Sequence, residues 1–204
     1  MSAITSNAWG DAIAITNSPS GANRSQVGAQ HWKALLFSTP AWAGKINYIQ
    51  LGLNCFDNSC SYPKTENVGI DLYSVQLGLP ATQIYNTPLQ SVYMSAAASM
   101  YTFPIPDWQL NPNTTYALVL KSDSSGIGWA NTSAASNPTG LNGYTYQSFK
   151  ITADGGGTWT NPSSSVNAVV ISVTAVPTLA GFAQLMLAII VIAMLVWHRR
   201  REPA

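Results

Sequence analysis

His31 is the only histidine ahead of the last seven residues, and no serine stands in a Gly-x-Ser-x-Gly turn that would expose it as a nucleophile. A Ser/His/acid relay therefore has one candidate base, and His31, beside Trp32, reads as a strand residue. Glycoside cleavage needs two carboxyl groups flanking one bond. The pairs on offer are Asp57 with Glu66 and Asp71 with Asp107, and Asp57 and Glu66 look like solvated loop residues. Zinc takes about four ligands, and Cys55, Cys60 and His31 fall short of that set. The expectation is a chain with no catalytic residues, no metal site and no cofactor: not an enzyme. Cys55 and Cys60, with Phe-Asp-Asn-Ser between them, are spaced to close a small disulfide loop in an oxidising compartment, and a pair of free thiols is the alternative.

Recognition is better supplied than catalysis. Sugars stack their apolar faces on aromatic rings, and Trp42, in a Pro/Gly loop, and Trp129, between Gly128 and Asn131, are the candidates for exposed glycan-binding rings. Core or loop packing is the competing reading for both, because buried Trp and Tyr are the rule in a small β-protein. The stretch Thr152-Ala-Asp-Gly-Gly-Gly-Thr-Trp159 fits the Asp-box pattern, carried by Thr152, Asp154, Gly156, Thr158 and Trp159. Asp154 is placed to cap backbone N–H groups of a glycine turn while Trp159 packs beneath. Locally this resembles sialidases, where the box is a fold element away from the catalytic site. Several arginines would be needed there for the substrate carboxylate, and Arg24 is the only one before the tail. The box is read as structural.

Charge removes another class. Only 8% of the 204 residues are charged, against roughly 25% in ordinary soluble proteins. Up to Val176 the chain carries Arg24 and five lysines against seven acids, and these six scattered cations do not make a nucleic-acid interface.

The tail carries the opposite sign. Leu179 to Trp197 is an uncharged run of 19 residues in which Gln184 is the one strongly polar side chain, and Arg199, Arg200 and Arg201 follow it. As a helix it reaches about 28 Å, close to the roughly 30 Å of a bilayer's hydrocarbon. It is apolar on every side, so a transmembrane helix over 179–197 is expected, with 198–204 as its basic end. Arginines stay on the cytoplasmic side and Trp197 suits the interface, which puts residues 1–175 outside the cell. The first twenty residues lack a basic and then apolar leader, so an export signal is expected upstream or already removed. A tail-anchored protein with a cytosolic body is the competing topology, and it has to carry three arginines across the bilayer.

Val176-Pro177-Thr178-Leu179, an aromatic at Phe182, the apolar span and the terminal arginines resemble the IPTL-CTERM class of bacterial sorting signals, a relative of PEP-CTERM. Val176 stands where the pattern has Ile, and Ala180-Gly-Phe-Ala183 where it has Ser-x-Trp-Gly. The resemblance implies processing near the motif by an exosortase-like transpeptidase. It also implies residence in the inner membrane, then at the cell surface or in the extracellular matrix. A plain anchor preceded by a juxtamembrane turn is the alternative.

Residues 1–175 must then form the exported body. Val68, Ile70 and Leu72 alternate with other residues, as do Tyr116, Leu118 and Leu120. Ile46, Tyr48, Leu51 and Leu53 do so with a phase slip at Ile49 that predicts a bulge. Val166–Val176 is strongly β-branched, and Ala29–Ser38, Ser99–Phe103 and Tyr144–Ile151 are further strand candidates. Turn-rich clusters such as "LGLPATQ" and "LNPNTTY" separate them. Seven or eight short strands without crossover helices predict an all-β, antiparallel, jelly-roll-like sandwich carrying the single C-terminal helix.

The order of these features resembles the bacterial domain family called choice-of-anchor R, over roughly residues 26–175. The likeness rests on Ala29-Gln-His-Trp32, Ile49-Gln-Leu-Gly-Leu53, Ile70-Asp-Leu-Tyr-Ser74, Leu110 to Leu120 and Gly126-Ile-Gly-Trp129. It implies a non-enzymatic surface or matrix protein. A polysaccharide-binding module displayed at the cell surface is the alternative.

Overall fold

The computed structural model describes residues 11–18, 23–42, 44–56, 64–124, 126–132, 137–162 and 166–175. They form two antiparallel sheets packed as a sandwich. The first sheet is built on β4 (Gly44–Cys55). On one side of β4 lie β13 (Val169–Ala175) and then β1 (Asp11–Thr16) and β11 (Thr139–Gly140). The same side carries β10 (Ile127–Ala130) and β2 (Arg24–Val27), while β8 (Ser99–Leu110) takes the other. The second sheet runs β12 (Thr145–Ile151), β3 (Lys33–Ser38), β9 (Thr115–Ser122), β5 (Lys64–Gln76), with β6 (Leu79–Asn86) and β7 (Gln90–Met94) sharing the far side of β5.

The inner faces follow from period-2 alternation. Ile46, Ile49, Leu51 and Leu53 of β4 and Val169, Ile171 and Val173 of β13 meet Leu35 and Phe37 of β3, Leu118 and Leu120 of β9, and Ile70 and Leu72 of β5 in one core. Each such side chain contributes about 1.5–3 kcal/mol by leaving water. The phase slip in β4 is present, but it falls at Asn47 rather than Ile49. Tyr48 pairs with Ser172 and Ile46 with Val173, so Asn47 is skipped, and Ile49 points inward while Tyr48 does not. The extra residue is anchored by its own side chain, whose Nδ2 donates to Asp11 Oδ1 at 2.7 Å.

Pro80, expected in a turn, lies within β6, because the connection from β5 is only Leu77-Gly78. Both residues have positive φ, 52° and 75°, the geometry of a two-residue hairpin whose twist matches its strands. β6 and β8 lie on rims of their sheets, where a missing N–H costs no ladder bond. Pro80 and, in β8, Pro104 and Pro106 are tolerated for that reason.

Trp129 crosses the sandwich from β10. Its ring meets Phe149 of β12 edge-on, with centroids 5.5 Å apart and planes at 82°, and its Nε1 donates to the Ala168 carbonyl at 2.8 Å. Asn167, itself buried, donates to the Trp129 carbonyl at 2.9 Å and to Asn131 Oδ1 at 2.9 Å. Trp129→Ala is expected to cost about 3–5 kcal/mol. Trp129→Phe is expected to cost less, about 0.5–1.5 kcal/mol from its lost hydrogen bond, because the Ala168 carbonyl keeps the Gly52 N–H as a second donor at 3.0 Å. Urea unfolding followed by circular dichroism measures both.

Candidate functional site

The second sheet has an outer face that is not simply solvated. Ala34 and Leu36 of β3 and Ala117 and Val119 of β9 form a second apolar cluster, covered by Trp32, Tyr73, Val75 and Trp159. Asp71 of β5 is completely buried on this face, 2.6 Å from Lys121 Nζ. Loss of water outweighs the ammonium and pushes the Asp71 carboxyl above its usual range. Lys121 Nζ also stands 5.6 Å from the centre of the Trp32 ring, a cation–π contact.

Thr152, Asp154, Gly156, Thr158 and Trp159 come together next to this cover. Thr158 donates to Asp154 through its N–H at 2.9 Å to Oδ1 and through its hydroxyl at 2.7 Å to Oδ2. Thr152 Oγ1 hydrogen-bonds Asp154 Oδ1 and accepts the Gly156 N–H at 3.2 Å. Gly156 has φ 97°, and a Cβ there would stand 2.9 Å from the Trp32 ring. Only glycine fits both demands. The turn docks on the preceding loop, because Gly155 N–H donates to the Gln30 carbonyl at 2.9 Å and Thr152 N–H to that of Trp32 at 3.1 Å.

Between this turn and the start of β3 lies a pocket of about 120 Å³, lined by Gln26, His31, Trp32, Lys33, Thr152 and Thr160 among others. Lys33 is 7% exposed. Burial alone lowers its ammonium to about 8, and among the described residues it has no hydrogen bond or ion pair. Sequence reasoning missed it, although alternation from Leu35 and Phe37 puts Lys33 on the inward face.

Other expectations are corrected. Trp129 is completely buried, so its ring cannot meet a sugar. Trp42 is half-buried in the loop before β4 and packs edge-on against Tyr144, centroids 5.4 Å apart. Glu66 is not a solvated loop residue: it lies in β5, 2.9 Å from Lys64 Nζ, and binds the Ser124 hydroxyl. Asp71 and Asp107 stand on different sheets and do not face one bond, Asp107 pairing with Lys45. His31 precedes β3 rather than lying in it.

Cys55 is buried at the end of β4 and is not a free cysteine, while Cys60 and Asp57 lie outside the described residues. So do Val176, Pro177, Thr178, Leu179, Trp197, Arg199, Arg200 and Arg201, and with them the expected transmembrane helix. Among the described residues no helix is long and apolar enough to cross a membrane. Compared with known proteins, the chain matches no family model and no curated protein.

The hydrogen bonds of Thr152 and Thr158 hold the Asp154 carboxyl far below the usual carboxylate range. A depressed folded value gives stability that is present above the unfolded value, about 4, and is lost as pH falls below it. Asp154→Asn is therefore expected to be less stable than the unmutated chain near neutral pH, with the difference shrinking towards about pH 2. Thermal melts across that range measure it.

Proposed function

We propose that this chain is a non-enzymatic, exported bacterial surface or matrix protein. Its jelly-roll-like body is held outside the inner membrane by a helix over 179–197. An exosortase-like transpeptidase then cuts near Val176-Pro177-Thr178-Leu179 and passes the body to the cell surface or the extracellular space. The observation that carries this reading is the uncharged 19-residue run closed by Arg199, Arg200 and Arg201, which follows a weakly charged body. In support, β13 runs to Ala175, so the motif follows the last strand directly. A disulfide between Cys55 and Cys60, as fits an oxidising compartment, belongs to the same proposal.

Intact mass of the protein from membrane and surface fractions tests it. The surface form is expected to lack the segment after about Thr178, and a reporter at residue 1 is expected to react with impermeant reagents. A full-length membrane form in every fraction would refute processing, and a reporter reached only from the cytosol would refute the topology.

A second reading, a polysaccharide-binding module displayed at the surface, is favoured by the Lys33 pocket and the aromatic cover beside it. Of the two rings first considered, only Trp42 stays eligible.

A further inference from the structure

We propose that the pocket at Lys33 binds the carboxylate of an acidic sugar, a uronate unit of an extracellular polysaccharide; this rests on the second reading above. A cation in a low-dielectric site is costly unless it is paired. Lys33 is more than nine-tenths buried, lines the pocket, and has no partner among the described residues. The nearest elements provide none. Its register partners are Leu120 on β9 and Ile151 on β12, while Lys121 and Lys150 alternate to the opposite face. Arg24 on β2 donates to the Phe56 carbonyl, and Asp71 is held by Lys121. Asp154 is held by Thr152 and Thr158.

The missing group is therefore an anion from outside, and one lysine matches a single negative charge. A doubly charged phosphate would call for a second cation, and among the described residues His31 and Lys33 are the only titratable groups lining the pocket. A volume of about 120 Å³ holds a carboxylate and the few carbons behind it, the space of about four waters. Thr152 is spent on the Asp154 turn and the Trp32 ring lies on the outer face with Lys121, so the lining groups left to meet the hydroxyls of a sugar are the exposed Thr160 hydroxyl and His31.

Calorimetric titration of the full chain in detergent micelles with galacturonic acid, galactose and acetate tests this. Galacturonate is expected to bind at least about tenfold more tightly than galactose or acetate. Binding needs the protonated amine, so affinity is expected to fall at least about tenfold between pH 7 and pH 9.5. Lys33→Met is expected to remove about tenfold or more of the affinity. Should that variant not fold, the pH dependence and Thr160→Val, at an exposed rim position, decide: Thr160→Val is expected to weaken galacturonate and leave acetate unchanged. Equal binding of galactose, or undiminished binding by Lys33→Met, overturns the proposal. Acetate binding as tight as galacturonate assigns the pocket to free small carboxylates and also overturns it. Neutral polysaccharide binding that survives Lys33→Met removes the uronate site and leaves the module reading standing.

Discussion

A two-layer β-protein exists only if both sheets give up one face to the other, and here Trp129 ties that closure to a definite geometry. Its indole reaches from the first sheet to Phe149 on the second, and the Nε1–H is spent on the Ala168 carbonyl rather than left unpaired in the core. An unpaired donor at that depth would offset much of the gain from burying the ring. The Asn167 amide then fixes the Trp129 and Asn131 region from the segment that leads into β13. Short β10, only four residues long, is held in place by these contacts as much as by its ladder.

The second sheet repeats the solution on a smaller scale. Its outer face would expose Ala34, Leu36, Ala117 and Val119, and the chain covers them with Trp32 and Trp159 instead of charges. The Asp154 turn positions that cover, because Gly156 must pass close to the Trp32 ring while the loop beneath accepts the Gly155 and Thr152 N–H groups. Alternation with Leu35 and Phe37 turns Lys33 to the inward face at the start of β3, beside that turn. The pocket is thus a by-product of how the turn and the loop meet, built by the same hydrogen bonds that stabilise the turn.

Sequence alternation was a sound guide where strands are long and one-faced. β3, β5, β9, β12 and β13 lie where Val, Ile, Leu and Phe recur at every second residue. β1, β2, β7, β10 and β11 were missed because two to six residues carry too little periodicity to separate from loop, and β6 because Gly78 and Pro80 make its first residues read as turn. Trp129 in its Gly-Ile-Gly setting looked like a loop ring, since small neighbours signal turns locally but here make room for close packing. Glu66 was misjudged for a similar reason: one acid beside turn residues looks solvated until a strand brings Lys64 and Ser124 to it. Lys33 was hidden because a lysine near a strand end is usually read as an outward residue. The bulge was legible as a slip in phase, but only pairing with β13 placed it at Asn47.

The prolines at the rims bear on how copies of the body can associate. An open sheet margin is ordinarily a template on which another chain adds a strand, the route to fibres and runaway stacking. Pro104 and Pro106 in β8 and Pro80 in β6 interrupt the donor row along two such margins. Crowded at high local density, neighbouring bodies cannot zip together there by backbone pairing. Whatever cohesion a layer of them has along those rims must come from side chains or from a shared polymer, which keeps it reversible.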